Sequence, residues 1–310
     1  MATYLVTGGA GFIGSHIAEA LVKRGERVRV LDNLMTGKKE NLATVIDHLE
    51  FMAGDIRDLE TCRRAAKKVD HVLHEAALPS VPRSVEDPLL ANAINVTGTL
   101  NMLLASRDAG VQSFVLASSS SVYGDDPRLP KEEGKEGRPL SPYAVSKFVG
   151  EKYCQTFHGL FGMKAVALRY FNVFGERQDP FSQYAAVVPL FITKALKGEP
   201  PVIYGDGEQS RDFTYVANVV EANLVAAASG TLGGEVINIA CGDRLTVNAL
   251  LAAVNEVVGA SITPVHADPR PGDIRHSFAD VRKAQLVMNY KPRIPFLDGL
   301  RATVAWYRER

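Results

Sequence analysis

The sequence predicts an α/β fold: a doubly wound parallel sheet with a smaller C-terminal α/β lobe. Three observations carry the prediction. Short apolar runs alternate with helix-period segments from Tyr4 to Leu168; a glycine turn joins the first run to the first helix; and beyond residue 172 Pro180, Pro189, Pro200 and Pro201 break the pattern into short pieces. The expected division is 1–172 for the sheet and 173–310 for the lobe, with a strand near 236–240 that may return to the sheet.

Tyr4 to Val6 is the first strand, and it runs into Thr7-Gly8-Gly9-Ala10-Gly11-Phe12-Ile13-Gly14, then apolar residues at helical spacing. Gly8, Gly11 and Gly14 let the backbone turn, approach a pyrophosphate and pack helix on strand, while the first N–H groups of the helix, around Phe12 and Ile13, face the anion. Gly25 ends the helix, Arg27 to Leu31 is the next strand, and Asp32 follows 18 residues beyond Gly14. An acid there suits the adenosine ribose diol, with Asn33 beside it, and it repels a 2′-phosphate. NAD is therefore expected over NADP, with Lys38 and Lys39 as the opposing signal.

Glu50 to Ala53 is the third strand, followed by Gly54-Asp55-Ile56. Asp55 is either a partner for the adenine amine, with Ile56 alongside, or a solvated loop acid. Asp70 to His74 is the fourth strand and leads into Glu75-Ala76-Ala77-Leu78-Pro79-Ser80, where the small Ala76 and Ala77 admit a cofactor close to the backbone. Asn92 to Ala109 has helical period, and Asn95 near its start is an exposed helix residue or a cofactor or structural hydrogen bond. Ser113 to Ala117 is the fifth strand and delivers four serines, 118 to 121.

Tyr143 and Lys147 lie four apart on a helix that opens after Ser141 and Pro142, so their side chains share a face. At ~5 Å and an effective dielectric of ~20, an ammonium favours a phenolate by roughly 3 kcal/mol. A second cation, such as an oxidised nicotinamide, would bring the phenolate into the working range. The alternative is a surface tyrosine beside a helix-facing lysine; the serines and the glycine turn weigh against it. Lys164 to Leu168, Val202 to Tyr204 and Val236 to Ala240 read as further strands, Val216 to Ala228 as a helix, and the tail as an amphipathic helix in which Trp306 packs.

Lys+Arg and Asp+Glu both total 35, so no charge footprint for nucleic acid or an anionic membrane is present, and a small molecule is the expected partner. The N-terminus lacks the basic and apolar regions of a signal peptide, and no apolar run approaches the ~20 residues of a spanning helix. A cytoplasmic location is expected. Cys62, Cys154 and Cys241 lack metal-ligand spacing and the histidines do not cluster, so no metal is expected.

Taken together, Thr7-Gly8-x-x-Gly11-x-x-Gly14, Ser-Ser-Ser-Val-Tyr-Gly, Tyr143-x-x-x-Lys147, Arg-Tyr-Phe-Asn, Gly-Asp-Gly-x-x-x-Arg-Asp-Phe and Arg270-x-Gly-Asp resemble the extended short-chain dehydrogenase/reductase superfamily, and within it the UDP-hexose and UDP-N-acetylhexosamine 4-epimerases. The resemblance implies a Rossmann domain over 1–172 that binds NAD and a lobe over 173–310 that mainly binds the nucleotide sugar. It implies Tyr143 as base, Lys147 as its charge partner and ribose ligand, and Ser119, with Ser120 as understudy, on the sugar 4-hydroxyl. Asn172 and the arginines Arg211 and Arg270 would meet the diphosphate, and Tyr204 the uracil. Ser80, Ala186, Val188, Asp273 and Ser277 would border the substrate, the small Ser277 admitting a 2-acetamido group. Pro79 departs from the glycine of acetamido-preferring relatives and the lysine of strict UDP-galactose enzymes. The implied reaction oxidises C4 transiently and returns the hydride to the opposite face. Ser120 and Ser121 stand where 4,6-dehydratases carry Asp-Glu and the UDP-xylose-forming decarboxylases a glutamate, whereas a UDP-glucuronate 4-epimerase stays open. The intact Ser119, Tyr143 and Lys147 argue against a non-catalytic NAD sensor. A homodimer through helices near 92 to 109 and 143 to 158 is implied as well.

Overall fold

The computed structural model describes residues 1–180, 186–269 and 274–310. Seven strands form the central sheet: Thr3–Thr7 (β1), Arg27–Asp32 (β2), Glu50–Ala53 (β3), His71–His74 (β4), Ser113–Ser119 (β5), Ala165–Tyr170 (β6) and Val236–Ile239 (β7). Their spatial order is β7-β6-β5-β4-β1-β2-β3, and every neighbouring pair is parallel. The chain winds outward through β2 and β3, then crosses back to lay β4 on the other side of β1. Connections leave β1 and β4 in opposite directions, which opens a crevice beyond their C-terminal ends.

Side chains alternate between two buried faces. In β5, Phe114 and Leu116 pack with Cys154 and Phe157, while Val115 and Ala117 pack with Ile17 and Val219. Strands buried on both faces read as continuous apolar runs, which is why they were visible in the sequence. The strand at 236–239 does return to the sheet, beside β6, and the helix Val216–Ala228 covers the same sheet through Val219, Ala222 and Ala226. Two elements from beyond residue 172 thus complete the first half of the fold.

Residues 88–108 form one continuous helix whose middle turn, Ala93–Gly98, is a π-helical segment. By length and composition it would pass for a membrane span, with 21 residues and a mean hydropathy of 1.2, so the expectation that no apolar run approaches that length is corrected. More than half of the window, 56 %, is buried inside the protein, as for a core helix that packs on the sheet.

The C-terminal lobe surrounds its own cluster, including Phe174, Phe191, Ile203, Phe213, Leu250 and Leu300. Val188 is buried at 2 % exposure in this cluster, so its side chain belongs to the core of the lobe and is not part of the cleft lining. A three-stranded sheet sets Ser210–Arg211 between Leu245–Thr246 and His276–Ser277.

Arg169 on β6 is almost wholly buried and holds the buried Glu151 in a two-bond fork, Nε to Oε1 and Nη2 to Oε2 at 2.7 Å each. Ser118 Oγ donates to the same carboxylate at 2.5 Å, and Glu136 lies 2.6 Å from Arg169 Nη1. Removing one partner of such a pair strands the other charge away from water. Arg169→Met is expected to lower the unfolding free energy, measured in urea, by about 3–5 kcal/mol, and Glu151→Gln in the same chain to recover part of it.

Candidate active site

The first turn of the chain makes a cradle. Gly8 has φ +68°, and a Cβ there would fall 2.7 Å from Ala76 N; one on Gly14 would collide with Gly8 O. The helix Phe12–Lys23 has Gly11 at its N-cap and no side chain capping it, which leaves its first N–H groups free for an anion. Asp32 is buried at the end of β2, where Oδ2 accepts from Ala10 N at 2.9 Å and Oδ1 from Leu34 N at 2.8 Å. Asp55 is gripped by Arg57 and by Asn33 Nδ2 at 2.8 Å; the Arg57 hydrogen bond pulls its carboxyl down to about 2 against the opposing effect of burial.

These residues line one cleft of about 1330 Å³, together with Phe12, Ile13, Ile56, Ala76, Ala77, Pro79 and Ser80. Its size, the glycine cradle, the free helix N-terminus and Asp32 fit a dinucleotide. Ala186 borders the same cleft. So does Trp306, which packs edge-on against Tyr307 and lies under Arg310 at 4.1 Å.

Asn95 does not reach the cleft. It is buried in the π-turn, where Oδ1 accepts from Leu78 N at 2.8 Å and Nδ2 donates to Leu78 O and Ser146 Oγ at 3.3 and 3.0 Å. Of the readings open for Asn95, the structural hydrogen bond is the one this geometry gives: a clamp between the loop after β4 and the helix that carries Tyr143.

That helix, Pro142–Phe161, starts where Ser141 Oγ accepts from Ala144 N at 3.1 Å, and Gly162 in the left-handed region closes it. Tyr143 is half-buried with the Ser119 hydroxyl at the end of β5 close enough to influence its phenol; its backbone N–H donates to Ser84 Oγ at 3.0 Å. Lys147 is buried, donates to Ala117 O at 2.9 Å, and places Nζ 5.8 Å from the centre of the Tyr143 ring. The phenol does not behave as the spacing alone suggested. Burial pushes it above its ordinary value, the Ser119 hydrogen bond acts the other way, and the Glu75 charge adds to the rise. Burial pulls Lys147 down to about 8, opposed by Glu75 and Glu151. The ammonium alone leaves a neutral phenol, so ionising Tyr143 needs a further cation, of which an oxidised nicotinamide is one.

Ser120 follows at the start of a short 3-10 turn, half-buried. Asn172 is exposed at φ +31° just after β6, with its carbonyl accepting from Thr214 N at 3.2 Å. Arg211 and Ser277 are direct register partners on neighbouring strands, and Tyr204 ends the strand Val202–Tyr204 at 38 % exposure. Arg270 and Asp273 lie outside the described residues. Among the described residues no group of three His, Cys, Asp or Glu stands close enough to hold a metal ion.

Residues 4–240 match the NAD dependent epimerase/dehydratase family. The chain belongs to that family. A putative UDP-glucose 4-epimerase of Methanocaldococcus jannaschii is 41 % identical over 306 residues, 98 % of each chain. Among solved structures, the UDP-N-acetylglucosamine 4-epimerase from Methanobrevibacter ruminantium M1 in complex with UDP-N-acetylmuramic acid is 43 % identical, with a TM-score of 0.95 over 99 % of this chain and 98 % of that one. The UDP-glucose 4-epimerase of Thermus thermophilus, solved as a complex with NAD, is 42 % identical, with a TM-score of 0.90 over 99 % of both chains.

Several residues of this epimerase/dehydratase site escaped the sequence reading. Ser84 fixes the start of the Tyr143 helix; Arg83 lines the cleft with its guanidinium unpaired among the described residues; Glu75 accepts from Tyr170 at 2.7 Å. Arg83 and Ser84 belong to the segment Ser80-Val81-Pro82-Arg83-Ser84, which resembles UDP-N-acetylglucosamine 4-epimerases but gives neither residue a role of its own, and only the Glu75 to Ser80 run, with its small residues, hinted at a cofactor wall. His74 is buried between Thr7 Oγ1 at 2.7 Å and Thr99 Oγ1 at 3.1 Å, and burial, reinforced by the Lys147 charge, drives it down to about 3. The unfolded chain takes up this proton near the ordinary histidine value and the folded chain does not, so His74 costs stability as pH falls from about 6.5 to about 3. His74→Gln should flatten the acid limb of the stability curve across that window by about 1.4 kcal/mol per pH unit, read from urea titrations at several pH values.

Proposed function

We propose that this NAD-dependent enzyme is a 4-epimerase of UDP-sugars that accepts UDP-N-acetylglucosamine and UDP-glucose. The observation that carries the reading is the placement of the Tyr143 phenol beside the Ser119 hydroxyl, one at the start of its helix and the other at the end of β5, with the buried Lys147 ammonium behind them and the dinucleotide cleft alongside. Full-length similarity to a UDP-N-acetylglucosamine 4-epimerase and to UDP-glucose 4-epimerases supports the substrate class.

Residues 1–172 hold the dinucleotide and 173–310 mainly the nucleotide sugar. Gly8, Gly11, Phe12, Ile13 and Gly14 carry the cofactor diphosphate on backbone N–H groups, Asp32 the adenosine ribose, and Lys147 the nicotinamide ribose. Bound NAD supplies a hydride acceptor that later gives the hydride back. Tyr143 takes the proton of the sugar 4-hydroxyl and restores it, and Ser119, whose hydroxyl stands beside the phenol, orients the sugar hydroxyl. The buried ammonium of Lys147 favours the phenolate once a second positive charge has lowered its cost. On the other wall, Arg211 neutralises the sugar diphosphate and Tyr204 covers the base. Ser277, beside Arg211, leaves room for an acetamido group.

Arg83 favours a second reading, a UDP-glucuronate 4-epimerase. Its guanidinium lines the cleft beside Ser80 and would suit a sugar carboxylate. A homodimer in the cytoplasm, away from membrane and nucleic acid, completes the reading. Leu89 and Val145 are exposed at 81 and 49 % on the helices expected to pair, and three free cysteines suit a reducing compartment.

Purified enzyme given UDP-glucose, UDP-N-acetylglucosamine and UDP-glucuronate separately, with products resolved by chromatography, is expected to equilibrate the first two with their C4 epimers. Conversion of the uronate alone would replace this reading by the second. Tyr143→Phe should retain NAD and the folded CD spectrum yet turn over about 10²–10⁴-fold more slowly, the usual yield of a positioned base. Undiminished epimerisation by that variant would refute the assignment.

A further inference from the structure

Glu75 is an ionisable group at the reacting end of the cleft to which the mechanism gives no task. It follows β4 directly, and the backbone it belongs to forms the wall against which the glycine turn is packed: a Cβ on Gly8 would lie 2.9 Å from Glu75 C. Its side chain lines the dinucleotide cleft. One carboxylate oxygen is fixed by the Tyr170 hydroxyl at 2.7 Å, and Asn223 Nδ2 steadies that hydroxyl at 2.7 Å from the helix Val216–Ala228.

The charges around it can be enumerated. Helix Pro142–Phe161 contributes Tyr143, a neutral phenol at rest, and the Lys147 ammonium; β4 contributes His74, uncharged; β6 contributes Tyr170, held neutral by burial. Glu151 lies one turn beyond Lys147, but its carboxylate is engaged by Arg169. Without Glu75, this end of the cleft would present the Lys147 cation to the nicotinamide, and a cationic ring would be repelled. Burial raises the Glu75 carboxyl to about 7, with the Tyr170 hydrogen bond and the Lys147 charge holding it from rising further, so both of its forms are reachable near neutral pH.

We propose that Glu75, as a carboxylate, is the counter-charge that keeps the bound cofactor oxidised, favouring the positively charged nicotinamide of NAD⁺ over the uncharged ring of the reduced form. An enzyme that must accept a hydride before it can return one gains from resting in that state. The proposal rests on NAD dependence and not on which sugar is turned over. A unit charge within ~8 Å at an effective dielectric of ~20 moves such an equilibrium by at least tenfold.

The test uses the holoenzyme equilibrated against a redox couple of known potential, with the reduced fraction read from nicotinamide absorbance. In Glu75→Gln, whose amide oxygen still accepts from Tyr170, the bound couple should be at least tenfold more reduced at a fixed setting, about 30 mV more positive for two electrons. The unsubstituted enzyme gives an independent measurement. Relative to free NAD, its potential should rise as pH falls from about 7 to about 5, a range that lies below the titration of Lys147 at about 8 and in which Glu75 completes the uptake of its proton. Equal potentials for the two proteins overturn the proposal, as does an offset from free NAD that stays constant across that range. Neither readout depends on epimerisation, so failure here leaves the sugar assignment standing, and failure of the sugar assignment leaves these potentials unaffected.

Discussion

The structure depends on keeping the Lys147 ammonium out of water. A lone cation at 6 % exposure is costly unless other groups answer it, and the surroundings are arranged to do so. The Ala117 carbonyl takes one of its protons, Glu75 and Glu151 supply negative potential, and Arg169 in turn holds Glu151. The strand ends of β4, β5 and β6 are thereby tied to one helix by charge. The same burial that makes Lys147 effective acts against Tyr143, whose phenol is raised by its dry surroundings. A phenol placed this way stays protonated until positive charge arrives beside it.

Position is supplied by ordinary polar groups that do no chemistry. Ser84 takes the Tyr143 N–H, Asn95 bridges Leu78 and Ser146, and Thr7 and Thr99 hold His74 between them. Each satisfies a buried donor or acceptor that would otherwise be left unpaired. The π-turn at Ala93–Gly98 belongs to this scaffold, since it carries Asn95 against the loop below the cleft. These bonds tie down the end of the cleft that holds Tyr143, while Pro79, Ser80 and Arg83 line the same cleft.

Much of the architecture was legible along the chain. The strands of the central sheet were readable as apolar runs because parallel strands are buried on both faces, and even the late return of the strand at 236–239 showed in Val236 to Ala240. The glycine turn and Tyr143-x-x-x-Lys147 were readable because each is a short local pattern, set by neighbours a few residues apart. The C-terminal lobe was less legible. Its strands are two or three residues long, too short for a period to register, and Val188 looked like a pocket residue where it is core.

By itself, the sequence determined what local backbone geometry and burial period can encode: the order of strands and helices, the phosphate cradle, the acid at the end of β2, and a tyrosine and lysine on one helical face. Those features depend on residues close together in the chain. Tertiary structure alone decided what depends on distant residues meeting in a dry place. It set the direction in which Tyr143 and Lys147 are shifted, joined Glu75 to Tyr170 across 95 positions, and chose the structural clamp among the readings open for Asn95. Charge and solvation are properties of the assembled crevice, and spacing along one helix cannot report them.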